Sequence, residues 1–181
     1  MITIDDVKVT LDNNPYLEKE IKENIKELLD IFYSRFPDVN LQNLNSRIGN
    51  LKIEKSNKFI NKRVSHYNLN TNILGFNIEE INKGYDMKYI LMFELLNIIT
   101  ANNVQTGFNY NDKFIALNAG YTAILANNLV GNDSDIPYLE DEIISTNLIA
   151  GIIGEDILYE SYFKNNANLI MNALLNEGVE I

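Results

Sequence analysis

The chain has no cysteine among its 181 residues. It therefore contains no disulfide bond, thiolate nucleophile, iron–sulfur cluster or cysteine-ligated zinc site. Histidine occurs once, at His66, which we expect to be an exposed loop residue because the sequence offers no evident partners for a metal site or a Ser-His-Asp triad. A Gly-rich phosphate loop and a G-x-S-x-G elbow are also absent.

Basic residues are scarce relative to acidic ones. The 15 Lys and Arg residues and the 25 Asp and Glu residues give a formal net charge of -10 and a pI near 4.5. Nucleic-acid binders use Lys and Arg to neutralise phosphates, so we expect no nucleic-acid partner. The acidity is explained either by solubility or by attraction of a basic protein partner.

Long apolar runs are missing as well. The longest, residues 89–101, is interrupted by Glu94 and Asn97 and is shorter than the ~20 residues needed to span a bilayer, so we expect a buried helix and no membrane span. The N-terminus lacks the features of a signal peptide, and the absence of cysteine is compatible with the cytoplasmic location that we expect. The length and the absence of a long linker or an internal repeat predict one domain, 1–181.

Hydrophobic periodicity predicts a mainly helical α+β protein. Strands are predicted over 2–11 and 51–54, and again within 67–76 after a turn. Pro15 opens a predicted helix that Pro37 ends, and Asp86 is expected to cap a central helix over 87–102 that is apolar on nearly all sides. Further helices are predicted over 114–130, 139–153, 156–164 and 167–176, with a break at Gly154.

The central helix carries the pentapeptide Phe93-Glu94-Leu95-Leu96-Asn97. Residues i and i+4 of a helix lie about 40° apart around its axis, which is why the two His of a His-Glu-x-x-His motif bind one zinc ion. The Glu of that motif is the general base. Here Phe93 and Asn97 occupy the His positions. A phenyl ring cannot donate to zinc, and a neutral amide is a poor substitute for imidazole.

Other segments, in the same order, resemble small bacterial proteins with the zincin-like fold of HExxH-type gluzincin metallopeptidases. Residues 117–125, Leu-Asn-Ala-Gly-Tyr-Thr-Ala-Ile-Leu, resemble their Leu-Asn-Glu-Gly-x-Thr-Glu-x-Leu segment, in which the first Glu is the third zinc ligand. Ala119 stands at that position. Residues 67–76 resemble the edge strand beside the cleft, and 153–163 resemble a Gly-x-Asp-x-Leu-x-x-x-Tyr-Phe tail. The resemblance extends over about 64–175.

This resemblance implies a zincin-like domain with a small mixed or antiparallel sheet packed on a buried central helix. All three ligand positions, Phe93, Asn97 and Ala119, have lost their donors, so we expect no zinc, no other cofactor and no catalytic residue. Glu94 is then a relic of the general base, either protonated or hydrogen-bonded to Asn97, Tyr121 or Thr122. A remaining cleft would include Glu94, Asn97, Asn118, Tyr121 and Thr122.

Three functions are compatible with these features. The first is a degenerate HExxH pseudoenzyme that binds an unknown protein or peptide partner. The second is an acidic inhibitor or immunity-type interaction protein, and the third is a zinc-independent hydrolase that uses Glu94 as a general base. The acidic groups at 133–135 and 140–142 do not match an EF-hand loop, so we interpret them as loop and helix N-terminal charge rather than as a calcium site.

Overall fold

The computed structural model describes residues 2–56, 63–110 and 113–179. Within these ranges the protein is mainly helical, and a small sheet lies against a central helix. None of the helices in these ranges has the length and apolar character required to cross a membrane. The elements in chain order are α1 (Ile4–Asp12), α2 (Lys19–Arg35), α3 (Gln42–Ile48), β1 (Lys52–Ser56), β2 (Ser65–Asn68), β3 (Ile73–Asn77), α4 (Ile78–Ile81), α5 (Met87–Ile99), α6 (Ile115–Val130), α7 (Glu140–Ile153), α8 (Glu155–Phe163) and α9 (Asn168–Asn176).

The sheet has three strands in the order β1-β3-β2. Strand β1 runs parallel to β3, and β2 runs antiparallel to it with Ser65 opposite Phe76 and Tyr67 opposite Leu74. The predicted combination of a helical majority with a small mixed sheet is therefore confirmed. Strand β2 lies at one edge of this sheet and packs against α5.

The central helix α5 is buried along most of its length because its sequence is apolar around the whole circumference. The Asp86 side chain accepts hydrogen bonds from the backbone N–H groups of Lys88 and Tyr89 at 2.9 and 3.3 Å, as expected of an N-cap. The helix α5 contacts α3, α6 and β2. Residues of α5 that face different directions therefore contribute to different parts of the core.

The predicted N-terminal strand is wrong, because this segment forms the helix α1. Thr3 and Asp6 cap it reciprocally: Asp6 N–H donates to Thr3 Oγ1 at 3.2 Å, and Thr3 N–H donates to Asp6 Oδ2 at 2.8 Å. Val7 and Leu11, four residues apart, are both fully buried. The capping pattern at Thr3 and Asp6 is the signal that distinguishes a helix from the loose alternation of apolar residues.

The turn and the following strand predicted within 67–76 are confirmed, but the strand that precedes the turn, β2, was not predicted, and the two strands form a hairpin. Strand β2 precedes a turn in which the Asn68 side chain accepts the N–H groups of Asn70 and Thr71, and β3 follows. The short helices α3 and α4 were not predicted, whereas α5 to α9 lie within three residues of their predicted bounds. His66 is exposed, as expected, but it lies on β2 rather than in a loop.

Candidate functional site

Glu94 is the buried carboxyl group at the centre of the site, with only 1% of its surface exposed. The hydroxyl of Ser65 donates to Glu94 Oε1 at 2.6 Å, and the amide of Asn97 donates to Oε2 at 3.1 Å. Asn97 was an expected partner and lies one turn along the same helix. Ser65 was not expected, because it is brought to α5 by the packing of β2.

Burial is the main influence on the protonation of Glu94. The loss of solvent raises the pKa of this carboxyl, and the hydrogen bonds from Ser65 and Asn97 and the positive charge of Arg63 oppose the rise only in part. The Glu94 carboxyl therefore holds its proton to higher pH than an exposed glutamate does.

Tyr138 packs edge-on against Phe93, with ring centroids 5.6 Å apart. Burial and the nearby Glu94 raise the pKa of the Tyr138 phenol.

A cavity of about 90 Å³ lies directly beside Glu94. Among its lining residues are Phe93, Glu94 and Asn97 from α5, and Asn118 and Ala119 from α6. The structure thus brings the three positions to which the resemblance assigns zinc ligands, and the carboxyl of Glu94, to one space. At about 30 Å³ per water molecule, the cavity has room for roughly three waters or one short side chain.

Two residues of the expected cleft are not among its lining residues. Thr122 is fully buried, and its hydroxyl donates to the carbonyl of Asn118 at 2.7 Å. The same oxygen lies 2.8 Å from the hydroxyl of Tyr162, which leaves Tyr162 as the donor of that bond. Tyr121 packs edge-on against the Tyr162 ring, with centroids 5.3 Å apart. Both residues therefore join α6 to α8 instead of facing the cavity.

Asn118 has a structural task besides lining the cavity. Its side-chain oxygen accepts the backbone N–H of Phe108 at 3.0 Å. The preceding Gly107 has a positive φ of 52°, and a Cβ atom there would lie 2.1 Å from Asn118 Oδ1. Asn118 therefore holds the loop before α6 against the helix, in a conformation that requires glycine.

Gly120 allows α6 and α7 to pack closely. A Cβ atom at Gly120 would lie 2.2 Å from the carbonyl oxygen of Glu142 and 2.3 Å from Thr146 Oγ1. The Asn-x-Gly-x-Thr part of the segment 117–125 therefore has a packing role at each of its three positions, Asn118, Gly120 and Thr122.

Several lining residues were missed by the sequence analysis: Arg63, His66, Tyr67, Thr106, Asn109 and Ile115. They come from β2 and the residue Arg63 before it, from the loop before α6 and from the first residue of α6, and no local pattern connects those segments with α5. Desolvation of its ring on the cavity side and the positive charge of Arg63 lower the pKa of His66. Among the described residues, Asn109 Oδ1 is a buried side-chain oxygen that accepts no hydrogen bond.

Hydrolysis by a serine nucleophile is not favoured by this arrangement. Ser65 is 2% exposed, is not one of the residues that line the cavity, and donates its hydroxyl to Glu94. In the described parts of the chain, no three His, Cys, Asp or Glu side chains form a group that could hold a metal ion. The Asp133 backbone N–H donates to Asp86 Oδ2 at 3.2 Å, and residues 140–142 form the first turn of α7.

Comparison of the chain with protein-family models, with curated proteins and with solved structures gives no match. The resemblance to zincin-like proteins therefore stays a prediction, and it rests on the residues of this chain alone. Its two supports are the ordered sequence segments and the common cavity of Phe93, Glu94, Asn97 and Ala119.

Proposed function

We propose that the protein is a zinc-free pseudo-metallopeptidase that binds a peptide or protein segment at the cavity beside Glu94. One observation carries this proposal: Phe93, Asn97 and Ala119 lie on two different helices and yet line the same cavity as Glu94. The resemblance assigns a zinc ligand to each of these three positions. An accidental sequence match would not require them to converge.

The side chains of Phe93, Asn97 and Ala119 argue against zinc binding at the cavity beside Glu94. A phenyl ring, a neutral amide and a methyl group replace two imidazoles and a carboxylate. Asn97 donates its amide to Glu94, so this side chain is already committed to the carboxyl group. Glu94 then has no metal-bound water to deprotonate, and its buried carboxyl serves to hold β2 against α5.

The cavity is suited to one inserted side chain rather than to a whole small molecule. Its volume of about 90 Å³ is well below the range of roughly 300–1,000 Å³ typical of small-molecule sites. Strand β2 is an edge strand of the described sheet, so an extended segment has a place to pair beside it. Because Asn109 Oδ1 needs a donor, we expect the inserted side chain to carry an N–H or O–H group.

A peptide-display selection on the immobilised protein tests this binding mode. Enriched peptides should lose at least about tenfold in affinity when Ala119→Leu fills the cavity. They should keep their affinity for Asn127→Leu, which adds the same side chain at an exposed position of α6. Enriched peptides that bind Ala119→Leu as well as the unaltered protein would contradict the proposal, as would stoichiometric zinc together with peptidase activity.

A second function, that of an acidic interaction protein of the inhibitor or immunity type, is favoured by the surface of α7. Ile144, Leu148 and Ile152 recur every four residues along this helix and are 52%, 67% and 48% exposed. They are part of the periodic pattern that predicts this helix, but the helix packs through Thr146 and through Ile143, Ile149 and Ile153 instead. An apolar stripe on one exposed helix face is typical of an interaction surface.

The charge around this stripe specifies the partner. Residues 114–163 contain no Lys or Arg and eight acidic residues, Asp133, Asp135, Glu140, Asp141, Glu142, Glu155, Asp156 and Glu160. A second copy of the chain would bring these like charges together. The surface instead suits a cationic amphipathic helix, whose apolar face covers the stripe while its basic residues meet the flanking acids.

A designed helical peptide of Lys and Leu, with its leucines on one face, serves as the probe for this surface. The Leu148→Gln/Ile152→Gln variant should bind it about tenfold more weakly, whereas Val104→Gln, at a residue that is 63% exposed elsewhere, should not change the affinity. Salt should weaken the binding to the unaltered protein. Equal binding to the double variant, or a homodimer that buries α7, would exclude this function.

A further inference from the structure

A second and larger cavity lies between α2, the sheet and the first turns of α5. Its volume is about 420 Å³, and its apolar lining includes Ile21, Leu28, Ile53, Phe76 and Leu91. None of the described residues that line it also lines the cavity beside Glu94. Helix α5 contributes Met87, Lys88 and Leu91 here, and a different face of the same helix carries Phe93, Glu94 and Asn97. The two cavities are therefore separate sites.

Three charged side chains lie on the wall of this larger cavity. Lys88 Nζ donates to Glu27 Oε1 at 2.9 Å, so these two charges neutralise each other. The Lys55 ammonium group forms no ion pair or hydrogen bond with any described residue. The wall therefore has one ammonium group without a counter-ion next to an apolar space, in a protein whose formal net charge is -10.

The alternation of β1 places Lys55 on this wall. Ile53 and Lys55 both line the cavity, and successive strand residues point to opposite faces of a sheet. Lys52 belongs to the other set. Its ammonium lies 4.6 Å from the centre of the Tyr16 ring, outside the cavity. The same strand thus carries one lysine at the cavity and one away from it.

We propose that this cavity binds a small amphiphilic anion, a carboxylate with an aliphatic or aromatic body. The volume lies within the range of roughly 300–1,000 Å³ of small-molecule sites. The apolar walls bury the body of the ligand, and its carboxylate pairs with Lys55. The overall negative charge of the protein repels anions at long range, so the affinity has to come from these local contacts. This site is independent of the proposed function at Glu94.

Decanoate below its micellar concentration, with decanol as its uncharged analogue, tests the proposal by NMR titration of the whole chain. Both should shift the signals of Leu28, Ile53 and Leu91. The Lys55→Met variant should weaken decanoate binding about fivefold or more and leave decanol binding unchanged, since only decanoate carries the charge. Lys52→Met should leave both affinities unchanged, and Leu91→Trp should weaken both by filling the cavity.

Retained decanol binding by Lys55→Met also demonstrates that the variant keeps its cavity and its fold. The proposal is overturned if decanoate does not bind, or if the shifted signals belong to residues elsewhere. It is likewise overturned if Lys55→Met weakens decanoate and decanol equally, or if Lys52→Met has the same effect on decanoate as Lys55→Met.

Discussion

The hydroxyl of Ser65 donates to Glu94 Oε1 at 2.6 Å and joins the edge strand β2 to the central helix α5. Glu94 would otherwise have Asn97 as its remaining side-chain donor, from its own helix. A buried carboxyl group with too few donors is costly, so this contact explains how α5 tolerates an acidic residue in the core. Glu94 thus forms a structural contact between helix and sheet.

The contribution of Glu94 to the stability of the protein should decrease as the pH rises above about 4.5, the ordinary pKa of a glutamate. Burial raises the pKa of Glu94 in the folded state, so in this range the unfolded chain releases a proton that the folded protein retains. Glu94→Gln removes that titration. We expect the free energy of unfolding of Glu94→Gln, minus that of the unaltered protein, to increase between pH 4 and pH 8 in urea titrations.

Glu20→Gln is the control for this pH series, since Glu20 is an exposed residue in the first turn of α2. Subtracting its pH dependence corrects for the removal of one negative charge. A difference between Glu94→Gln and the unaltered protein that stays constant with pH would mean that burial does not perturb this carboxyl.

Three glycines should respond differently to replacement by alanine. Gly107→Ala and Gly120→Ala should each lower the free energy of unfolding by about 2 kcal/mol or more, because the new methyl group meets Asn118 Oδ1 or the Glu142 carbonyl. Gly151→Ala should raise it by up to about 1 kcal/mol, since this helical glycine has no atom within 4 Å of a Cβ. Thermal and urea unfolding measure all three, and a stable Gly120→Ala variant would contradict the close packing of α6 on α7.

Arg47 should contribute strongly to stability through its carbonyl contacts. Its guanidinium donates to the backbone oxygens of Leu69, Ala101 and Asn102, and to the hydroxyl of Tyr67. It therefore links α3 to the β2–β3 turn and to the end of α5. Arg47→Met should lower the free energy of unfolding by about 3 kcal/mol, because hydrogen bonds from a charged donor are among the stronger ones.

The control for this substitution is Arg35→Met, at an exposed residue in the last turn of α2. It removes the same charge without removing those contacts, and urea titrations of both variants provide the comparison. Equal losses for Arg47→Met and Arg35→Met would refute the structural role of Arg47.

Local signals were sufficient to predict the central helix but not its surroundings. The apolar run and the N-cap Asp86 define α5, and the i,i+4 spacing of Phe93 and Asn97 places both at one cavity. Ser65 as a partner of Glu94 depends on the packing of β2 against α5, which no sequence window contains. The segment of α1 was predicted to be a strand because its apolar residues also alternate. The helix signal in this segment is the capping residue Thr3.

The apolar stripe on α7 shows that hydrophobic periodicity can predict a helix without showing which of its faces is buried. Ile144, Leu148 and Ile152 predict the helix correctly, yet they lie on its exposed face. Close contact between α6 and α7 is made instead by Gly120 and Thr146, a pair of small residues that a hydrophobic pattern does not emphasise. Leu139 and Ile143, which belong to the same periodic set, pack against the core. Periodicity therefore predicted the helix but did not distinguish its exposed face from its packed face.

Restoring the three ligands tests the pseudo-metallopeptidase proposal most directly. The Phe93→His/Asn97→His/Ala119→Glu variant should bind one zinc ion per chain by elemental analysis after dialysis, and its cobalt form should have the absorption spectrum of a four-coordinate site. The matched Phe93→His/Asn97→His/Ala119→Gln variant, which has a neutral amide as its third group, should bind zinc far more weakly. If both variants fold, as checked by circular dichroism, and retain equally little zinc, the three positions do not form a zincin ligand set and the proposal is contradicted.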